Sequence, residues 1–147
     1  MERGTVKDQS GTVTVKEVTT KSELRKFVDF PNKMYKDVKQ FVPAFYGDDL
    51  DDWDKKKNPA FDYCEGKTFL AYKNGEIVGR IGAILSHKAN EKWGTRRMRF
   101  SQVDFIDEQQ NGHVHALHLL QELLILIGLL HHIGDVDEHI GILQCRL

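Results

Sequence analysis

Between residues 12 and 18 apolar and polar side chains alternate, with Val13, Val15 and Val18 set among Thr12, Thr14, Lys16 and Glu17. A period near two lays one face of an extended chain on a core, so the pattern predicts a first strand. Thr20-Lys21-Ser22-Glu23 follows with the spacing of a capping box, whose hydroxyl and carboxylate satisfy backbone amides that a helix start leaves without partners. The rhythm then changes: Leu24, Phe27 and Val28 recur at i, i+3 and i+4, the stripe of an amphipathic helix. Pro31 is expected to interrupt that helix, since it lacks an N–H and disfavours helical geometry at Phe30; a further helical turn is expected through Met34 and Tyr35.

Residues 68–73 read as a strand, Asn74-Gly75 as a two-residue hairpin turn, and residues 76–85 as the returning strand, carrying Ile77, Val78, Ile81, Ile84 and Leu85. A further strand after the hairpin is expected over residues 97–106, where Met98, Phe100, Val103 and Phe105 are interleaved with polar groups behind the punctuation of Gly94 and Thr95. A polar turn then leads into a helix over residues 114–130, and residues 140–145 offer one more strand. The order is strand, helix, helical turn, hairpin, strand, helix. It predicts an α/β (α+β) fold with one mixed, largely antiparallel sheet flanked by helices.

A length of 147 residues fits a flexible start, residues 1–11, and a single domain, residues 12–147. With 40% hydrophobic and 29% charged residues, the composition excludes disordered, collagen-like and low-complexity chains. A net charge of -1 gives no general footprint for nucleic acid. The longest apolar run, residues 123–130, is far shorter than the roughly 20 residues of a membrane helix. Residues 1–10 carry no apolar signal core, and two cysteines, Cys64 and Cys145, suggest no disulfide framework; a reducing cytoplasm is the expected location. The chain changes character over residues 108–147, where lysine is absent and six of the seven histidines fall. The second half of helix 114–130 is apolar on every side, which predicts a covered surface and so a homodimer or a partner.

Candidate chemistry is sparse. The acidic run from Asp48 to Asp54 lacks the glycine and terminal glutamate of an EF-hand loop, and reads as a solvated helix start. Among the clustered histidines only His115 and His118 share a helix face, and two ligands do not close a metal site, so no metal is expected. Cys64 reads as a small packed side chain. Trp53, Trp93, Phe61 and Tyr63 are candidates for packing or for the wall of a substrate cleft, and Lys92, Arg96, Arg97 and Arg99 form a basic cluster beside the last strand. The strand-to-helix turn at residues 107–114 suits a phosphate group, because helix-start amides point one way there.

The hairpin from Phe69 through Asn74-Gly75 to Ala83, the strand from Met98 to Ile106 and the turn behind it together resemble the GCN5-related N-acetyltransferases, the acyl-CoA N-acyltransferase superfamily. Phe30-Pro31-Asn32, Phe41-Val42-Pro43 and Asn58-Pro59-Ala60-Phe61 are similar to an uncharacterised bacterial subgroup of acetyltransferase-like proteins. In the family's pyrophosphate loop, Gln109 and Gly112 match the pattern and Val114 stands where glycine or alanine is usual. The resemblance implies that the backbone of Val103, Asp104, Phe105 and Ile106 pairs with the pantetheine arm of acetyl-CoA, while Gln109, Gln110, Asn111, Gly112, His113 and Val114 hold its phosphates. It implies transfer of an acetyl group to a small-molecule or protein amine. The family's tyrosine acid has no counterpart beyond Tyr72, and the family's last strands are not apparent, so no catalytic residue is assigned. The alternative reading is a catalytically inactive module of the same scaffold, dimerising or binding a partner through helix 114–130.

Overall fold

The computed structural model describes residues 13–43 and 46–106. Strand β1 (Val13–Glu17) leads into helix α1 (Lys21–Met34), helix α2 (Tyr46–Asp52) and a 3₁₀ turn at Pro59–Asp62. Strands β2 (Cys64–Lys73) and β3 (Glu76–Ser86), helix α3 (His87–Trp93) and strand β4 (Met98–Phe105) complete the order. The sheet runs β1-β2-β3-β4 with every neighbouring pair antiparallel. This is the expected α+β class. The expected helix 114–130, the strand 140–145, the pyrophosphate turn and the start of the chain lie outside the described residues.

The hairpin forms as its turn chemistry dictates. Asn74 (φ 52°) and Gly75 (φ 81°) both take the left-handed conformation of a type I′ turn, whose twist matches the strands it joins. The pairing extends beyond the expected bounds, from Lys73 opposite Glu76 out to Cys64 opposite Ser86. Because successive side chains on a strand point to opposite faces, Phe69 and Leu70 serve separate cores. Phe69, Ile81 and Ala83 pack with Val15, Met98 and Val103 on one face. Leu70 on the other face packs with Phe27 and Val28 of α1, with Leu50 and Trp53 beside them. Each of these fully buried large side chains contributes about 1.5–3 kcal/mol.

Two local expectations change. Helix α1 is not interrupted at Pro31 but continues through it to Met34. A proline in this last turn removes the bond that its N–H would make to the carbonyl of Phe27, and that carbonyl instead accepts from Arg80 Nη1 at 2.9 Å. Helix α3 was not expected, because residues 87–93 carry no apolar stripe. It is set by its ends: Ser86 Oγ accepts from the Ala89 N–H, and Gly94, left-handed at φ 59°, closes the last turn. Among the described residues no helix is long and apolar enough to cross a membrane.

The capping box at the start of α1 forms in full. Thr20 Oγ1 accepts from the Glu23 N–H at 3.2 Å, while Glu23 Oε2 accepts from the Thr20 N–H at 3.1 Å. The carboxylate also accepts from the N–H of Thr19, the largest of the interactions that hold its pKa below the ordinary 4.5. Its contribution to stability is therefore complete above that ordinary value and is lost as the pH falls through the lowered one. Thr20→Ala is expected to cost about 1 kcal/mol, measured by urea denaturation near neutral pH.

Candidate functional site

The helix face of the sheet is organised around a buried cation. Arg80, on β3, has a side chain only 7% exposed, and its Nε donates to Asp104 Oδ2 of β4 at 2.7 Å. The register makes this contact local, since Arg80 and Asp104 are direct cross-strand partners. Above them the guanidinium lies over the Phe27 ring, 5.0 Å from its centroid, and reaches the Phe27 carbonyl. Tyr35, the residue closing α1, donates its hydroxyl to Asp104 Oδ1 at 3.1 Å. The C-terminal end of α1 is thus fastened to β3 and β4 by one carboxylate and one guanidinium. Asp49 of α2 stands close enough to feel this charge: burial pushes its carboxyl up, Arg80 pulls it back, and Asp52 and Asp48 push it up again.

Beyond this node β4 is irregular. Between the pairs Arg80–Asp104 and Gly82–Ser101, β3 supplies one residue and β4 supplies two, Gln102 and Val103. That is a β-bulge, and Gln102 within it is left-handed at φ 52°. A non-glycine residue in that region costs on the order of 1–3 kcal/mol. Gln102 has a partner that a glycine would lack, because Trp53 Nε1 donates to its Oε1 at 2.9 Å. A neutral hydrogen bond contributes about 0.5–1.5 kcal/mol net, comparable with the lower end of that strain.

The sheet is also shaped for Trp53. A Cβ on Gly82 would lie 2.6 and 2.7 Å from Trp53 Cζ2 and Cη2, and one on Gly66 would lie 2.9 Å from Phe61 Cε1 and 3.1 Å from Trp53 Cζ3. Only glycines leave room for the two rings. The indole is held from its other side by Phe27, edge-on with ring centroids 5.9 Å apart. Beside it opens a cavity of about 240 Å³, with Phe61, Ala60, Cys64 and Ile84 as apolar wall, and Ser101 and Gln102 of the bulge, Asn58 and Asp52 as polar groups.

The expected cofactor residues separate by direction. Val103 packs into the core on the face away from the helices. The side chain of Asp104, 16% exposed, is engaged by Arg80 and Tyr35. Ile106 is 48% exposed, and its N–H donates to the Val78 carbonyl at 2.8 Å. Because alternate residues of an antiparallel strand turn their backbone groups to opposite edges, this bond directs the N–H and C=O of Phe105 and Val103 away from β3. Among the described residues no strand pairs with that outer edge. Gln109 to Val114 lie outside the described residues.

Trp53, Phe61 and Cys64 meet at the cavity, whereas Trp93 is 62% exposed and Tyr63 is also exposed, so the four aromatic candidates do not form one cleft. Lys92, Arg96, Arg97 and Arg99 are exposed around the start of β4. Asp48 to Asp52 of the acidic run lie on α2, with Asp48, Asp51 and Asp52 exposed and Asp49 half-buried, and Asp54 follows the helix. Among the described residues no three His, Cys, Asp or Glu side chains gather as a metal would need. Arg80, Tyr35 and Gln102 went unmarked in the sequence. Arg80 stands at an ordinary strand position, and the only sign of Gln102 is the single-residue slip it introduces into the alternation of β4.

No family model matches the chain. Protein YghO of Escherichia coli strain K12 is 30% identical over 96 residues, which span 65% of this chain and 24% of that protein. The bacterial ceramide synthase of Caulobacter vibrioides is 33% identical over 66 residues, 45% of this chain and 17% of that protein. The matches thus span a quarter or less of the length of these curated relatives. Among solved structures, FeeM, an N-acyl amino acid synthase from uncultured soil microbes, superposes with a TM-score of 0.50 at 12% identity, covering 84% of this chain and 69% of that one. At that identity the likeness is one of fold alone: the described residues share with that synthase an antiparallel sheet with helices, in the α+β class.

The ion pair at the centre of the site yields a stability test. Asp104→Ala leaves the Arg80 guanidinium buried beside the Phe27 carbonyl without its paired carboxylate, and an expected loss of about 3 kcal/mol follows. Replacing both partners, Arg80→Met with Asp104→Leu, is expected to lose less than Asp104→Ala alone. Urea denaturation of the three chains measures both differences.

Proposed function

We propose that the chain carries the donor-binding part of an acyl-CoA-dependent N-acyltransferase, with the outer edge of β4 as the strand on which the pantetheine arm lies. The observation that carries this reading is the edge itself. Val103 and Phe105 direct their backbone donors and acceptors outward, and the bulge beside them opens onto an apolar cavity. An extended arm containing amide groups suits such an edge, because it adds to the sheet as a strand does. The likeness to an N-acyl amino acid synthase and to a ceramide synthase supports acyl transfer. The donor we infer is acetyl-CoA or a longer acyl-CoA, the acceptor a small-molecule or protein amine, and the place of action the cytoplasm, where acyl-CoA is available.

The chemistry this asks for is direct. The amine nitrogen attacks the thioester carbonyl, the C–N bond forms, the C–S bond breaks, and the proton that the nitrogen gives up passes to the leaving thiolate, which departs as free thiol. Backbone N–H groups at the bulge would stabilise the negative charge that develops on the carbonyl oxygen. Asp104 is not the base in this reading, since both of its oxygens are engaged by Arg80 and Tyr35. Gln109 to Val114 remain the proposed phosphate-binding residues, with the basic cluster near β4 as a further contact for the nucleotide.

Calorimetric titration of the purified chain with acetyl-CoA and with octanoyl-CoA, using the dephospho-coenzyme as control for the basic cluster, tests the reading. Saturable 1:1 binding of at least one thioester is expected, with release of free thiol when an acceptor amine is supplied. A folded, monodisperse chain that binds neither thioester would overturn it and favour the inactive interaction module.

A further inference from the structure

Trp53 makes more than the packing contacts that its size requires. The indole is seated on Gly66 and Gly82 and flanked by Phe27, and its N–H is aimed at one acceptor, the side chain of Gln102. That acceptor belongs to the one residue of β4 with a positive φ. Glycine would hold this conformation with the least strain, but glycine has no oxygen to offer the indole. The bulge is thus kept in a strained form by a bond that only a longer polar side chain can make. An observed outlier of this kind, beside a cavity and a strand edge with which no described strand pairs, points to a use for the geometry it fixes.

We propose that Trp53 is a positioning residue for the acyl donor. Through its bond to Gln102 it sets the orientation of the peptide groups of the bulge, where Ser101 and Gln102 border the cavity, and so sets where a thioester lying on that edge presents its carbonyl. This rests on the donor site proposed above. The seat is built from four separate parts of the chain: Trp53 following α2, Gly66 on β2, Gly82 on β3 and Gln102 on β4. The two glycines are needed to admit the rings at all, since either Cβ would come within about 3 Å of an aromatic carbon. Packing explains those glycines. It does not explain why the N–H meets a strained glutamine.

Trp53→Phe keeps an aromatic ring at this position but removes the N–H donor together with part of the ring area, whereas Gln102→Gly relieves the backbone and removes the acceptor with its side chain. Each is expected to weaken binding of the better thioester about fivefold to tenfold, the scale of one hydrogen bond, and to raise its KM while leaving the KM of the amine unchanged. Gln102→Gly is expected to melt no lower than the parent chain, so its loss of affinity would run against its stability, which a merely structural role does not produce. The double variant is expected to be no weaker than the weaker single one, because both act through one bond. Parent-like affinity in either single variant, or losses that add in the double, would overturn the proposal while leaving the donor site standing. If Trp53→Phe does not fold, Gln102→Gly alone decides by the same measure. A parent chain that binds neither acetyl-CoA nor octanoyl-CoA would overturn the donor site and the proposal together.

Discussion

A buried guanidinium ties the helical layer to the edge of the sheet. Removing a charge from water costs several kcal/mol unless geometry and hydrogen bonds compensate, and Arg80 is compensated from three directions: the carboxylate of Asp104, the carbonyl of Phe27 and the ring face of Phe27. The carbonyl is available because Pro31 cannot donate to it. Tyr35 then closes the arrangement from the end of the helix onto the second oxygen of Asp104. The placement of α1 on the sheet and the fixing of β4 at its edge therefore share one set of bonds. The bulge begins directly after this fixed point, and the cavity opens beside it.

Local signals in the sequence were strong wherever the determining residues are neighbours. Asn74-Gly75 specified a hairpin because both residues tolerate positive φ, and Thr20 with Glu23 specified a helix start because the box closes within one turn. The alternation of Met98, Phe100, Val103 and Phe105 marked β4, with a three-residue step from Phe100 to Val103 where the bulge lies. Helix α3 was hidden because its residues are mostly exposed and carry no stripe; only its caps announce it. Pro31 misled because the group that replaces its missing bond lies on β3, 53 residues from the Phe27 carbonyl it satisfies. No reading of the helix alone would find that partner.

The site divides along the same line. The stretch from Val103 to Ile106 was singled out through a resemblance of strand and turn; among the described residues no strand pairs with its outer side, and the backbone groups of Val103 and Phe105 turn away from β3. The groups that shape it were not legible: Arg80 is one charged residue among many, and the bond from Trp53 to Gln102 spans 49 residues. Strand edge, bulge and cavity make a scaffold that suits an extended thioester. In the proposed function the acyl group is selected at the cavity wall. The acetyl group suggested by the resemblance is thus one candidate among acyl groups.

Amide hydrogen exchange of the chain, with and without saturating acyl-CoA, reports most directly on whether β4 is the donor strand. The amides of Val103 and Phe105 are expected to become protected when the thioester binds, while those on the outer edge of β1, the other open edge of the described sheet, stay unchanged. Saturable binding with the β4 amides exchanging as fast as in the free chain would contradict a donor site on this edge.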